Sequence, residues 1–468
     1  MRSWRIVVGL AVLARCGEAA FSPTNAPGVV RGSSHGEAAL PAPPIEAVRA
    51  AATEFPTPPP TVRYLDHPER LSRFFSALAN LDSGEARDDV RIVQFGDSHT
   101  AADLGTGAFR RALQARFGDG GRGFVSLGQP WKGYRQDGID GGMSREFAPV
   151  RVGLHHGNVV GVGGAYGLLG IAIATDRGGA RAWTAVRAPT SRIELATWDQ
   201  PHGGSFDVFV DGVRQLRVAT RGAPGGSRFT SLDVADGLHD IEVRTLGDGD
   251  VRILGMALDR AEIGIVVDAL GINGAQVGTP LNWGEEHFAE QLRHRAPALV
   301  VVAYGTNESM DSTLEDEDFE RRLVEVLGRV ARATPAASCV ILGPPDRGER
   351  ASADDGGVAK GEGTWQSAPR IGEIADLERR VADAAGCAYF DEIAAMGGAG
   401  AIIRWATEVE PRAGSDRVHL TRSGYAELGR AFAEDAISAY EAWRQREGFG
   451  PVKRPEAVGL GSLSGVRP

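Results

Sequence analysis

A serine in a short glycine-containing turn is the residue of this chain best suited to covalent chemistry. Residues 93–100 read Val-Gln-Phe-Gly-Asp-Ser-His-Thr, and Ser98 follows an apolar run that ends at Phe95. Apolar residues at helical spacing then cover 103–117, so the pattern predicts a strand, a turn and a helix. Backbone N–H groups at a helix start favour negative charge, and acyl transfer by a serine builds an oxyanion there. The alternative is local, since Asp97 or Ser98 could simply cap the helix.

Three further motifs carry groups that a nucleophilic serine needs. Gly274 and Asn307 each follow an apolar run; the first lets a backbone N–H reach a ligand, and the second offers an amide donor. Asp416 precedes His419 by three residues, so its carboxylate can orient the imidazole while Nε2 acts as a base. Each motif also has a structural alternative: a tight turn, a turn-forming asparagine, or a capping loop with a surface histidine.

The elements that must position these groups alternate along the chain. Short apolar runs predict strands at 91–95, 265–270, 298–303, 337–342 and 388–390. Helical patterns lie at 71–81, 103–117, 283–292, 318–332, 371–384 and 423–443. Such alternation predicts an α/β fold with about five parallel strands and helices on both faces. Ligands bind at the carboxyl edge of such a sheet, and all four motifs fall on that edge.

Residues 126–260 have a different pattern. Alternating runs cover 194–196, 206–210, 215–219, 229–232, 239–244 and 251–258. Turn signals separate them, including Asp211-Gly212 and Asp236-Gly237. This pattern predicts an all-β antiparallel sandwich inserted into the α/β domain, whose two segments are then 61–125 and 261–445. Residues 446–468 are predicted to be a C-terminal tail.

The N-terminus is typical of an export signal. Arg2 and Arg5 precede a short apolar run and small residues, so 1–20 is predicted to be a signal peptide. Residues 21–60, rich in proline and alanine, predict a linker. Cys16 leaves a lipid anchor open, but Arg15 fits such a site poorly, so secretion to the periplasm or cell envelope is favoured.

Composition excludes some partners. The net charge is −10 at pH 7 and no basic cluster offsets it, which argues against nucleic acid binding. The ten histidines show no metal-ligand spacing, so neither a metal nor a cofactor is expected. Cys339 lies in a predicted strand and Cys387 just before another, so both are expected to be buried thiols and not a disulfide.

Taken together, the motifs resemble the SGNH (GDSL-type) esterase and acylhydrolase family, whose four blocks carry Ser, Gly, Asn and His. In this chain the blocks are Gly96-Asp97-Ser98, Gly274, Gly305-x-Asn307 and Asp416-x-x-His419. The resemblance implies a flavodoxin-like αβα fold and a catalytic triad of Ser98, His419 and Asp416. It also implies an oxyanion hole made by the backbone N–H groups of Ser98 and Gly274 and the amide of Asn307.

Within that family the chain is similar to bacterial peptidoglycan O-acetylesterases, on the blocks at 96–100 and 120–124 and on the β insert, which is similar to a carbohydrate-binding jelly roll. The similarity implies a secreted esterase acting on an acetylated polysaccharide, with peptidoglycan favoured, and a possible peripheral association with the envelope. His99, Trp365 and Trp405 are predicted substrate contacts, although a disordered surface loop is the alternative for Trp365 and loop packing is the alternative for Trp405. A carbohydrate acyltransferase, a lipase-like acylhydrolase and a non-catalytic polysaccharide-binding protein remain open, and the oligomeric state is not indicated.

Overall fold

The computed structural model describes residues 61–154, 164–223, 225–351 and 364–448, all within one unit that spans 59–468. The predicted signal peptide with Cys16, the predicted linker up to residue 60 and the tail from residue 449 lie outside the described residues. No helix in the described ranges is both long and apolar enough to cross a membrane.

Strands and helices are numbered in chain order over the described residues. The first strands are β1 (Leu65–Asp66) and β2 (Val90–Gly96). The middle strands are β3 (Gly121–Val125), β4 (Ile139–Met143), β5 (Ala148–Arg151), β6 (Ile171–Thr175), β7 (Arg181–Asp199), β8 (Ser205–Val210), β9 (Val213–Ala219), β10 (Gly226–Thr245) and β11 (Val251–Asp259). The last strands are β12 (Ile265–Gly271), β13 (Leu299–Ala303), β14 (Ser338–Leu342), β15 (Gly348–Arg350), β16 (Trp365–Ser367) and β17 (Ala388–Phe390). The α-helices are α1 (Ser72–Ser83), α2 (Ser98–Ala101), α3 (Leu104–Phe117), α4 (Glu285–Arg295), α5 (Asp316–Ala333), α6 (Pro369–Ala385), α7 (Glu392–Ala395), α8 (Ala401–Ala406) and α9 (Arg422–Arg446).

A parallel sheet positions the four motifs. Its order is β12-β2-β13-β14-β17, and β1 adds an antiparallel edge strand beside β17. Numbered along the chain, the parallel strands run 2-1-3-4-5, which is the flavodoxin-like order with its switch point beside β2. The predicted five parallel strands are therefore confirmed, and the turn that bears Ser98 lies at the switch point.

Helices cover both faces of this sheet because its strands are apolar on both sides. One face, with Val93, Val300 and Ile341, packs against α4, α5 and α6. The opposite face, with Ile92 and Val301, packs against α1, α3 and α9. Side chains that alternate along each strand thus enter two separate cores, and the molecule has the three αβα layers that the sequence predicts.

A nine-stranded antiparallel sheet, β3 to β11, forms the second region, and it contains a third apolar core. The hairpin turn predicted at Asp211-Gly212 is confirmed, since both residues have positive φ, 52° and 77°. The turn predicted at Asp236-Gly237 is wrong: β10 continues through these residues with shifts in its register against β7. The strands form one hydrogen-bonded sheet, which does not confirm the predicted jelly roll or sandwich.

A buried ion-pair network joins the two regions. The guanidinium of Arg295 on α4 lies 2.9 Å from Asp259 at the end of β11 and 2.9 Å from Asp268 in β12. All three residues are buried, and Asp268 also accepts the backbone N–H of Phe124 in β3 at 2.7 Å. Paired charges with further hydrogen bonds are the form in which buried charges are tolerated, so the two sheets share one interior.

The expectation of free thiols at Cys339 and Cys387 is wrong, because the two residues form a disulfide with a Cα–Cα distance of 4.9 Å. Strands β14 and β17 are parallel neighbours, with Val340 opposite Ala388. The residues just before these two therefore also face each other. Strand pairing between distant segments, which local sequence does not reveal, brings the cysteines together.

Candidate active site

Ser98 lies at the first position of the short helix α2, directly beyond β2. Asp97 caps this helix by accepting the backbone N–H of His99 at 2.8 Å. Gly96 leaves room for the tight turn, since a Cβ there would lie 2.3 Å from Thr100 Oγ1 and 2.8 Å from the carbonyl oxygen of Ala303. The N–H of Ser98 is among the first in the helix, which have no intrahelical acceptor, so it can serve a ligand.

The predicted Ser98, His419 and Asp416 are brought together. The Oγ of Ser98 lies 2.9 Å from Nε2 of His419, and Nδ1 of His419 lies 2.8 Å from Oδ2 of Asp416. The carboxylate partner assigns the imidazole proton to Nδ1 and leaves the Nε2 lone pair facing the serine. This arrangement can move a proton from Ser98 to His419 while Asp416 holds the ring.

Asp416 is held in its ionised form. Its Oδ1 accepts the backbone N–H groups of Val418 at 3.0 Å and His419 at 3.1 Å. Partial burial opposes ionisation, but the hydrogen bonds from the His419 ring and from these two N–H groups outweigh it and lower the pKa of Asp416. The aspartate therefore keeps its charge at neutral pH and can stabilise the positive charge that His419 gains when it takes the serine proton.

The loops that carry Gly274 and Asn307 adjoin the serine turn. Gly274 has φ +78° within a turn closed by a 3.0 Å bond from Ala275 N–H to the carbonyl of Ile272. The side-chain amide of Asn307 donates to the carbonyl of Ala275 at 2.8 Å and lies 3.4 Å from Oδ2 of Asp97. Asn307 thus links all three loops, and its part in an oxyanion hole stays a prediction.

Buried carboxyl groups beneath these loops were not predicted. Glu308 accepts the backbone N–H groups of Val277 and Gly305, the second at 3.0 Å, and so ties the Gly274 and Asn307 loops together. Burial raises the pKa of Glu308 to about 7 and that of Asp97 to about 8. Glu378 on α6 is also buried, and burial and then the nearby Glu308 raise its pKa. A glutamate directly after Asn307 was the available sequence signal for the first of these residues.

His99 lies beside the catalytic pair. Its ring is stacked on that of His419 with centroids 5.5 Å apart, and its Nδ1 lies 3.0 Å from the hydroxyl of Tyr425. The Nε2 atom is buried without a hydrogen-bond partner in the described part of the chain. Burial, and then the nearness of His419, lowers the pKa of His99 to about 3, so its ring is neutral at pH 7. Substrate contact by His99 stays a prediction.

The two tryptophans predicted to bind substrate have different positions. Trp365 is partly buried beside the guanidinium of Arg417, 4.8 Å from the ring centroid, so it adjoins the loop of Asp416 and His419. Trp405 is only 3% exposed and packs in an apolar cluster with Leu420 and Tyr425. The prediction for Trp405 is therefore corrected: its side chain supports the catalytic loop from within and does not line the surface.

Comparison with known families gives the class. Residues 234–427 match the model of the GDSL-like lipase/acylhydrolase family. The match includes Gly274, Asn307, Asp416 and His419. Ser98 precedes the matched segment in the sequence and is separated from it by strands β3 to β9. About two fifths of the chain therefore resembles a GDSL-like lipase/acylhydrolase domain, and this likeness, together with the site geometry, supports an esterase.

Two solved esterase structures also align with this chain. A structure of a peptidoglycan O-acetylesterase aligns with a TM-score of 0.62 and 25% sequence identity, over 79% of this chain and 96% of that chain. A family two carbohydrate esterase from Clostridium thermocellum, in complex with cellohexaose, aligns with a TM-score of 0.25 and 9% identity, over 59% of this chain and 95% of that one. A search of curated protein sequences finds no match.

Proposed function

We propose that this esterase is exported and removes O-acetyl groups from a cell-envelope glycan, with peptidoglycan as the favoured substrate. The observation that carries the proposal is the hydrogen-bonded series from Ser98 through His419 to Asp416, on the turn at the sheet's switch point. The likeness to the peptidoglycan O-acetylesterase supports the choice of substrate. The N-terminal pattern supports export, as does the Cys339–Cys387 disulfide, since such bonds persist in oxidising compartments.

The reaction follows from the roles of these side chains. Ser98 Oγ attacks the acetyl carbonyl carbon while its proton passes to Nε2 of His419. The N–H groups of Ser98 and Gly274 and the amide of Asn307 stabilise the oxyanion. The intermediate collapses as His419 returns the proton to the sugar oxygen, which leaves as an alcohol. Water, activated by His419, then attacks the acetyl-serine and releases acetate.

The first test measures hydrolysis of model esters of increasing acyl length by the purified full chain. The second measures acetate release by the same protein from O-acetylated peptidoglycan and from acetylated xylan. We expect a preference for acetyl over longer esters and faster release from peptidoglycan. A preference for long acyl chains would favour a lipase-like acylhydrolase, and transfer of acetate to an added sugar would favour an acyltransferase. Turnover no faster than that of Ser98→Ala on every ester would contradict the proposal and leave glycan binding as the alternative.

A further inference from the structure

A cleft of about 530 Å³ lies between the residues that follow α2 and the segment that leads into β4. Its size lies in the range of pockets that hold small ligands. Ala102, at the end of the turn that begins with Ser98, lines the cleft, and so does Arg422, three residues after His419. Four helical residues rise about 6 Å, which places this end of the cleft about one helical turn from Ser98.

The opposite wall of the cleft, residues 128–141, is fixed relative to the serine turn. The backbone N–H of Asp137 donates to the carbonyl of Ala102 at 3.2 Å, and its carboxylate accepts from Arg422 at 2.8 Å. Gln136 is buried and donates its amide to a carbonyl oxygen of β12 at 3.0 Å. These bonds fix the position of the wall relative to Ser98, and a specific binding site needs such fixed positions.

Of the two cations that line this cleft, Arg135 and Arg422, Arg135 is the one without an ion-pair partner among the described residues. Its side chain is exposed and lines the cleft, and it makes no ion pair within the described ranges. Arg422, by contrast, is paired with Asp137 across the same cleft. A guanidinium presents a planar fork of N–H donors that matches a carboxylate, so the chemistry at Arg135 is suited to an anionic group of the ligand.

On the basis of the proposed function, we propose that Arg135 binds a carboxylate of the glycan substrate in this cleft while Ser98 attacks the acetyl ester. The site then selects acetylated glycans that bear carboxylates over neutral ones. Peptidoglycan carries carboxylates on its peptide stems, whereas a neutral acetylated xylan has none. Arg135 is thereby a specificity-determining residue that takes no part in the acyl transfer itself.

The test measures binding separately from hydrolysis. The full chain with Ser98→Ala, which does not consume substrate, is titrated calorimetrically with O-acetylated peptidoglycan fragments and with the same fragments after amidation of their carboxylates. Adding Arg135→Gln is expected to weaken binding of the carboxylate fragments about tenfold and to leave binding of the amidated fragments unchanged. The control is Arg145→Gln, which removes a guanidinium that is 95% exposed and outside the cleft.

Equal weakening for both kinds of fragment, or none for either, would overturn the proposal. In the otherwise wild-type enzyme, Arg135→Gln is expected to raise KM for carboxylate fragments and to leave turnover of a small acetyl ester unchanged. If wild type released no acetate while the carboxylate-dependent effect on binding persisted, the proposed function would fail and the assignment of Arg135 would stand.

Discussion

Carboxyl groups lie in different surroundings in the parallel and antiparallel sheets. At the carboxyl edge of the parallel sheet, burial raises the pKa of Asp97 to about 8 and that of Glu308 to about 7. On the antiparallel sheet, hydrogen bonds led by that from Arg181 lower the pKa of Glu242 to about 2. The first region keeps protons on buried acids beneath the site, while the second displays ionised acids in surface ion pairs.

The two patterns give opposite responses to pH. A carboxyl whose folded pKa exceeds its unfolded value, near 4, binds more protons in the folded state, so its stabilising contribution is lost as the pH rises from about 4 to about 8. A carboxylate whose folded pKa is depressed stabilises the fold above pH 4 and loses that contribution as the pH falls. The parallel sheet should therefore be sensitive to alkali and the antiparallel sheet to acid.

The largest effect is expected from removing Ser98, which would show that acyl transfer takes place in the parallel region. Ser98→Ala removes the proposed nucleophile and should lower kcat for a small acetyl ester by about 10⁴-fold or more. Ser231→Ala on the antiparallel sheet, which removes a hydroxyl that donates to Glu194 at 3.1 Å, is the control and should keep wild-type turnover. Comparable losses of kcat in both variants would contradict the assignment of acyl transfer to the parallel region.

Loss of one oxyanion donor should have the next largest effect. Asn307→Ala removes the side-chain amide and should lower kcat by about 10²- to 10³-fold with little change in KM, because the donor acts on charge that develops in the transition state. Steady-state kinetics with a model acetyl ester measure kcat and KM. Gln215→Ala on β9 is the control, because it removes a side-chain amide from the antiparallel sheet. An unchanged kcat would remove Asn307 from the oxyanion hole.

Removal of the disulfide should destabilise the parallel region. The double variant Cys339→Ala/Cys387→Ala opens a link across 48 residues and should lower the free energy of unfolding by about 2 to 4 kcal/mol. Denaturant unfolding with and without reductant measures the loss. Reductant should destabilise the wild type and leave the stability of the double variant unchanged. Equal stability of the wild type and the double variant in the absence of reductant would contradict the prediction.

The smallest expected effect is on the pH dependence of stability. Glu378→Gln replaces a buried acid, whose pKa burial raises, with a neutral side chain of the same shape, so the loss of stability as the pH rises above about 4 should shrink. Glu242→Gln should instead change only the acid side of the profile. Melting temperatures across this pH range test both, and parallel profiles for wild type and Glu378→Gln would show that this acid is not protonated in the fold.

The sequence predicted the parts of the fold and site that depend on local pattern. Five apolar runs became the five parallel strands, and Ser98, Asp416 and His419 lie within hydrogen-bond distance in series. Continuous apolar strands and short polar loops are local signals, and parallel strands place their carboxyl ends at one edge. Loop positions therefore translated directly into neighbouring side chains.

Features set by pairing between distant segments were not predictable in this way. The disulfide depends on β14 and β17 being neighbours, and the sheet order is not encoded in either strand alone. The Asp236-Gly237 pair has the composition of a hairpin turn, yet pairing of β10 with β7 on both sides of it turns it into a bulge. The burial of Glu378 likewise depends on how α6 packs against the Asn307 loop.

The Arg295 network has a practical consequence for dissecting the protein. A fragment that contains only the antiparallel sheet would keep Asp259 and lose its guanidinium partner, while Asp268 would stay behind with the other half. An unpaired buried charge is strongly destabilising, so such a fragment should fold poorly or expose this surface. The two regions are best treated as inseparable in recombinant work, and a test of glycan binding by the antiparallel sheet is best made in the whole, catalytically silenced chain.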